Sequence, residues 1–442
     1  PLRSRLGLRP CGLKSAAQSE PRPEGRGQLV YAQLTQRSSM LGPSLPLRVL
    51  ILVRFSLLAV CGVTRADTSA EKGGHVEDRT RPAAIMIGRY VAPDGSLQPG
   101  AIIEISRGKI SGVAAGSEYE NTTEAVRFEN AVACPGLIDA RSSIGVGGNS
   151  GEEAFAIDPG ASAVDALDRR HRDFQAALRA GVTTAVLLPT ENNLVSGAAA
   201  VVKTAAVAGD GVLRRDGPLV FSLSSHVWEY DRAPTSRIGS LAMLRDALED
   251  AKAGRGGERM RAFVGGALDG LVACESPMDA SAALRTFGAY EGRIAIIQTG
   301  ETQEIADELA TAKRAIVVGP YEFDMPQRVL GAAGALDAAG VVVAFAGDMP
   351  RHHVDSLRVT AALAVRYGMD PAAARRAMTG AAAEAAGVAN RIGSIAPGRD
   401  ADLVIFSDDP LRLDARVLAV YVDGVRVYEA GRAGVAFRGD GP

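Results

Sequence analysis

The polar and apolar positions fall into three regimes along the chain. From Pro82 to Val132 the apolar residues come in short alternating runs, AAIMIGRYV, GAIIEISRGKISGV and AVRFENAVA, with turn signals at Asp94-Gly95 and Arg107-Gly108. That spacing predicts short β-strands. The far C-terminus has the same character: Asp402 to Phe406 reads as a strand, and Val417 to Val422, an Asp423-Gly424 turn and Val425 to Tyr428 read as a hairpin. Two β-rich ends around a different middle predict that the ends pack together as one small domain.

The middle, 135–392, alternates apolar β-branched runs with longer Ala/Leu/Arg stretches. Val182 to Leu188, Leu219 to Leu223, Ile294 to Ile297, Ala315 to Val318 and Val341 to Phe345 are nearly all apolar, as for parallel strands buried on both faces. Leu241, Leu244 and Leu248 recur at helical spacing after Thr235-Ser236, and Leu357, Leu363 and Arg366 belong to a helix ending at Gly368. About 250 residues of repeated strand and helix is the size of a (β/α)8 barrel of the α/β class. A doubly wound open sheet is the alternative; it would want a Gly-rich phosphate loop, and neither GxGxxG nor GxxxxGK[ST] stands after the first strand.

Composition narrows the chemistry. The chain has 442 residues, 47% hydrophobic and 23% charged, with a net charge of -2, which supplies a core but no electrostatic footprint for nucleic acid. Four Cys without a CxxC pair argue against a disulfide scaffold or a structural zinc site. Only five His are present, His75, His171, His226, His352 and His353, so any metal site must draw on these or on carboxylates.

Residues 1–39 lack apolar periodicity and read as disordered or as upstream sequence. Met40 opens a segment with Arg48 and Arg54, an apolar run Phe55 to Val63, and Thr64-Arg65-Ala66, the layout of a signal peptide over 40–66. The nine-residue run is too short to span a bilayer, which takes roughly 20. Cys61 gives only a weak lipoprotein signal, because bulky Val60 precedes it, and a cut after Ala66 leaves Cys134 and Cys274. The expectation is an exported, periplasmic or extracellular protein, membrane-free after cleavage, with a small-molecule ligand or substrate and no nucleic-acid partner; a homo-oligomer is left open.

Two junctions carry more. Pro135-Gly136-Leu137-Ile138-Asp139-Ala140 stands where the N-terminal β region meets the middle, and Gly393-Ser394-Ile395-Ala396-Pro397-Gly398-Arg399-Asp400-Ala401-Asp402-Leu403-Val404 where β structure returns. With Ala338 to Phe345, Gly347-Asp348 and Ala364 to Pro371, these segments make 82–434 resemble the amidohydrolase superfamily, in particular its imidazolonepropionase-like branch. The resemblance implies a barrel over 135–392, a composite β-sandwich from 82–134 and 393–434, and metal-assisted hydrolysis of C–N bonds, often in cyclic amides. One or two divalent ions would lower the pKa of a bound water to about 7.

The ligands the resemblance implies are mostly replaced. Its His-x-His pair becomes Arg141-Ser142-Ser143; the fifth-strand His falls within Ala273-Cys274-Glu275; the sixth-strand His matches Gln298; only Asp348 stands as the family has it. A guanidinium cannot act as a ligand and repels a cation. The candidate catalytic set is therefore Asp348 as base, with Arg141, Ser143, Glu275 and Gln298 as rearranged partners, no cofactor, and a divalent metal such as zinc only in a rearranged site. Lys203 as a bridging lysine, His352 and His353 beside Asp348, His226 at a strand end and Cys274 as a nucleophile are weaker candidates, each with a structural reading beside it; Glu152-Glu153 and Asp408-Asp409 read as solvated carboxylates. Two functions follow: a C–N hydrolase with its metal site largely lost, or a non-catalytic exported binding or structural protein.

Overall fold

The computed structural model describes residues 81–115, 125–146, 150–298 and 300–431. The expectations for 1–39 and for the signal peptide over 40–66 lie outside the described residues. Among the described residues no helix is long and apolar enough to cross a membrane.

The chain opens with β1 (Ala84–Val91), β2 (Leu97–Ser106), β3 (Lys109–Ala115) and β4 (Ala125–Pro135), then enters the middle through β5 (Leu137–Ser142), α1 (Asp173–Arg179), β6 (Val182–Leu187), β7 (Val195–Ala198), β8 (Ala200–Lys203), β9 (Val212–Arg214) and β10 (Leu219–Ser222). From there strand and helix alternate: α2 (Arg237–Lys252), α3 (Glu258–Val264), β11 (Gly270–Ala273), α4 (Pro277–Phe287), β12 (Ile294–Ile297), α5 (Ala306–Ala312), β13 (Ile316–Val318), α6 (Gln327–Leu330), α7 (Ala332–Ala338), β14 (Val343–Phe345), α8 (Ser356–Arg366), α9 (Pro371–Ala377) and α10 (Gly380–Ala385). The chain returns to β structure as β15 (Leu403–Phe406), β16 (Val417–Val422) and β17 (Val425–Glu429).

Both chain ends share one sheet, in the order β17-β16-β15-β4-β1-β2-β3. The join is antiparallel, with Cys134 opposite Val404. Ile85, Ile103, Ala133, Leu403 and Tyr421 form its buried core. The two ends therefore make one unit, as a single seven-stranded ladder; a second facing sheet of a sandwich is not among the described residues. At both Arg107-Gly108 and Asp423-Gly424 the two residues have positive φ (52° and 77°; 48° and 69°), the two-residue hairpin turn that their sequence favours.

The middle holds two ladders, β14-β13-β12-β11-β10-β7 and β5-β6-β8-β9. They are consecutive pieces of one strand at the junction: β7 and β8 flank Ala199, β7 pairing with β10 and β8 with β6, both antiparallel. This departs from an all-parallel (β/α)8 ring, and among the described residues the ladder is not closed. A strand that runs backwards needs no crossover helix, so no α-helix separates β6 from β10. The five apolar runs read from the sequence are β6, β10, β12, β13 and β14, with β10 to β14 mutually parallel.

Alternate residues of these strands point inward. Ile138, Val186, Val201, Val220, Leu271, Ile297, Val317 and Ala344 share one buried cluster, closed below by Ala382, Ala383 and Ala386 around α10. The lumen is therefore packed core and not a pore. The opposite faces, such as Leu187, Phe221, Ile296 and Phe345, pack under the helices. Gly136 is required at the entry, since a Cβ there would lie 1.9 Å from Thr183 Oγ1. At the predicted helix start, Ser236 accepts a 3.3 Å bond from Gly239 N–H and caps α2.

Candidate functional site

Arg141, Glu191, Cys274, Glu275, Gln298 and Asp348 all lie at or just beyond the C-terminal ends of parallel strands, so they share one end of the barrel-like middle. That end is where this architecture carries its chemistry.

Asp139 ties the seam between β5 and β14. It is fully buried and accepts from the backbone N–H of Gly347 (2.7 Å), Met349 (3.2 Å) and Arg141 (3.3 Å). Ser143 N–H donates to Met349 O at 2.7 Å and Asp348 N–H to Arg141 O at 3.1 Å, closing the seam outside the ladder. Burial pushes the Asp139 carboxyl up to about 6, against the pull of the three N–H donors. Because Asp139 grips the peptide groups on both sides of Asp348, that residue is held at φ 49°, a conformation that L-residues seldom adopt.

Asp348 and Arg141, the two central residues of the sequence reading, come together. Arg141 donates through Nε (2.7 Å) and Nη2 (2.6 Å) to the two oxygens of Glu191, and its Nη1 lies 3.7 Å from Asp348 Oδ2. Burial disfavours the Arg141 charge, but Glu191 and then Asp348 outweigh it and raise its pKa. Asp348 also faces Arg351 Nη1 at 3.4 Å and His352 Nδ1 at 3.3 Å. His353 instead turns to Asp355 and is mostly exposed.

The other candidates do not join this pair by any hydrogen bond or ion pair among the described residues. Ser143 is half-buried beside the seam. Glu275 is exposed and accepts from Ser225 N–H (3.0 Å) and Oγ–H (2.5 Å), which hold its pKa down. Gln298 is buried, yet neither its Nε2 nor its Oε1 has a partner among the described residues, while the side chain one residue earlier, Ile297, fills the lumen. Burial pushes the Cys274 thiol well up, so it is a core residue rather than a poised nucleophile. His226 is exposed. Glu153 accepts from Asn192, Asp408 pairs with Arg89 and Asp409 with Arg375.

Lys203 lies at the opposite end. β8 runs against its neighbours, so its last residue falls where β5 and β6 begin, and Nζ reaches Asp400 (3.0 Å), Asp402 (3.0 Å) and Asp423 (2.5 Å). The buried lysine bolts the barrel-like middle to the composite sheet, which excludes it from the mouth. Glu191 and Asp139 were missed as functional residues. Asp139 stands inside the junction motif, but nothing in the sequence marks Glu191 as the partner of Arg141.

A divalent ion at this mouth needs several His, Cys or carboxylate donors converging on a point. Among the described residues no group of three or more such side chains could hold one. A guanidinium stands beside the one carboxylate that the resemblance would make a ligand. The residues present do not fit the metal.

Residues 249–428 match the model of the amidohydrolase family. A curated relative, amidohydrolase tasK of Hapsidospora irregularis, is 22% identical over 353 residues, covering 66% of this chain and 36% of that protein. The chain thus spans about a third of the length of the curated relative it matches. Among solved structures, an amidohydrolase from Thermotoga maritima MSB8 is similar with a TM-score of 0.69 and 24% identity, over 78% of this chain and 100% of that one. A putative prolidase from Bifidobacterium longum gives 0.52 and 19%, over 81% and 97%. These likenesses show the fold, and the family match covers 249–428 of the 442 residues.

Proposed function

We propose that this chain is a divergent, imidazolonepropionase-like amidohydrolase homologue in which an internal ion-pair cluster has taken the place of the metal centre. Its mouth binds a small carbonyl compound of the amide-like C–N class without metal-dependent hydrolysis. One observation carries this reading: Arg141, at the position of the first implied metal ligand, is locked by Glu191 and faces Asp348. An arginine cannot give up its proton to become a ligand, and its charge occupies the electrostatic place of a metal. Arg141 remains able to offer Nη1 to a ligand carbonyl or carboxylate. The protein acts after export, the signal segment being 40–66.

A metal-independent C–N hydrolase is the second reading. It is favoured by the 3.7 Å between Asp348 Oδ2 and Arg141 Nη1, too long for a hydrogen bond between them and short enough for one ligand atom lying to the side to contact both base and oxyanion donor.

Elemental analysis of the purified protein, beside a hydrolysis screen of cyclic amides, ureas and acylated amino acids, tests both. Substoichiometric metal and no turnover, with ligand-induced stabilisation that Arg141→Ala abolishes, is the expected result. Stoichiometric zinc, iron or manganese with turnover overturns the proposal. Metal-free turnover lost in Asp348→Asn would establish the second reading instead.

A further inference from the structure

We propose that a cleft at the opposite, N-terminal end of the barrel-like middle binds a small carboxylate with an apolar body. The cleft has a volume of about 190 Å³ and lies where β11, β12 and β13 begin, beside α10. It is smaller than the roughly 300–1,000 Å³ of drug-sized sites, so its ligand is small.

Its floor is apolar, made by Ile294, Ala295, Ala315 and Val342. Val342 is 36% exposed, a branched side chain left facing the opening. The cations around it are not equivalent. Arg293 is spoken for, its Nε and Nη2 each 3.2 Å from the Asp269 carboxylate. Lys313 and Arg314, side by side after α5, have no side-chain hydrogen bond or ion pair among the described residues; Lys313 is exposed and Arg314 is half-buried as a residue. Glu384, the other carboxylate of the lining, is drawn to Arg376 at 4.0 Å.

The Arg314 guanidinium has five donors that no protein group among the described residues occupies and that stand open to the cleft for a ligand. A carboxylate meets the planar fork with two parallel bonds, and Lys313 adds a second charge. Inorganic phosphate would satisfy the cations but leave the apolar floor bare, so a carboxylate carried on a hydrocarbon or ring matches both halves of the cleft. The site is independent of the mouth at Arg141 and Asp348.

Isothermal titration of the full chain tests this with benzoate, its neutral isostere benzamide, and inorganic phosphate. Benzoate is expected to bind with a Kd on the order of millimolar, and benzamide and phosphate at least about tenfold more weakly. The double variant Lys313→Ala/Arg314→Ala should weaken benzoate by about tenfold or more, as should Val342→Asp, which places a carboxylate on the floor. All these positions are surface-accessible, and an unchanged melting temperature confirms folding in either variant. Absence of benzoate binding, equal affinity for phosphate, or undiminished binding in both variants overturns the proposal.

Discussion

Arg141 and Glu191 meet edge to edge, two N–H groups of one on the two oxygens of the other at 2.7 and 2.6 Å, across the ends of adjacent strands. The side chains are 20% and 16% exposed, so neither charge can be stranded cheaply. Arg141→Met should leave Glu191 and Asp348 without their shared cation and cost about 2–3 kcal/mol in urea unfolding. Arg141→Met/Glu191→Gln should cost less than the sum of the two single changes, because the double variant no longer strands the Glu191 charge.

Asp139 carries a pH dependence whose sign runs opposite to that of most carboxylates. Its pKa of about 6 in the folded chain lies above the ordinary value near 3.9. The folded state therefore holds the proton more tightly than the unfolded state does, and the contribution of Asp139 is full below about pH 4 and lost as pH rises to about 6. Two units correspond to roughly 3 kcal/mol. Asp139→Asn should flatten the stability profile between about pH 4 and 6 relative to the parent, while its single amide oxygen leaves the N–H of either Gly347 or Met349 without an acceptor at every pH. Unfolding midpoints collected across that range check both effects.

Lys203→Met should be among the most damaging single changes, with an expected loss of about 3–5 kcal/mol, because three carboxylates, Asp400, Asp402 and Asp423, would face each other with only Lys109 and Arg391 near Asp400. Lys203→Met/Asp402→Asn should recover part of the loss. A cycle with no coupling between the two positions would contradict the bolt described for this residue.

Gln298→Met should stabilise the protein by about 1 kcal/mol, since it exchanges a buried amide with neither atom paired among the described residues for an apolar chain of similar length. The thermal midpoint should rise by a few degrees at most. A fall would mean that the amide has a partner that contributes to stability.

Much of the fold was legible because it rests on local rules. The buried strands announced themselves as apolar runs, and Arg107-Gly108 and Asp423-Gly424 specified their turns. The β7–β8 segment did not, since VSGAAAVVK has the apolar content of any inner strand and direction is decided by pairing with both neighbours. The site was legible in part. Arg141 and Ser143 could be set against the histidines that the resemblance implies after the junction motif, and Arg141 and Asp348 do meet. Glu191 could not be foreseen, since its loop comes to Arg141 only through the pairing of β5 with β6, and Gln298 gave no hint that its amide would be left unpaired.

The backward course of β7 and β8 bears on the order in which the protein folds. Residues 182–222 pair β6 with β8, and β7 with β10, over short stretches of chain, whereas the β4–β15 join waits on partners separated by most of the molecule. Closing a short loop costs less entropy than closing a long one, and near contacts form first. This antiparallel patch is thus placed to acquire hydrogen-exchange protection early in refolding, and the β4–β15 join that unites the two chain ends to acquire it last.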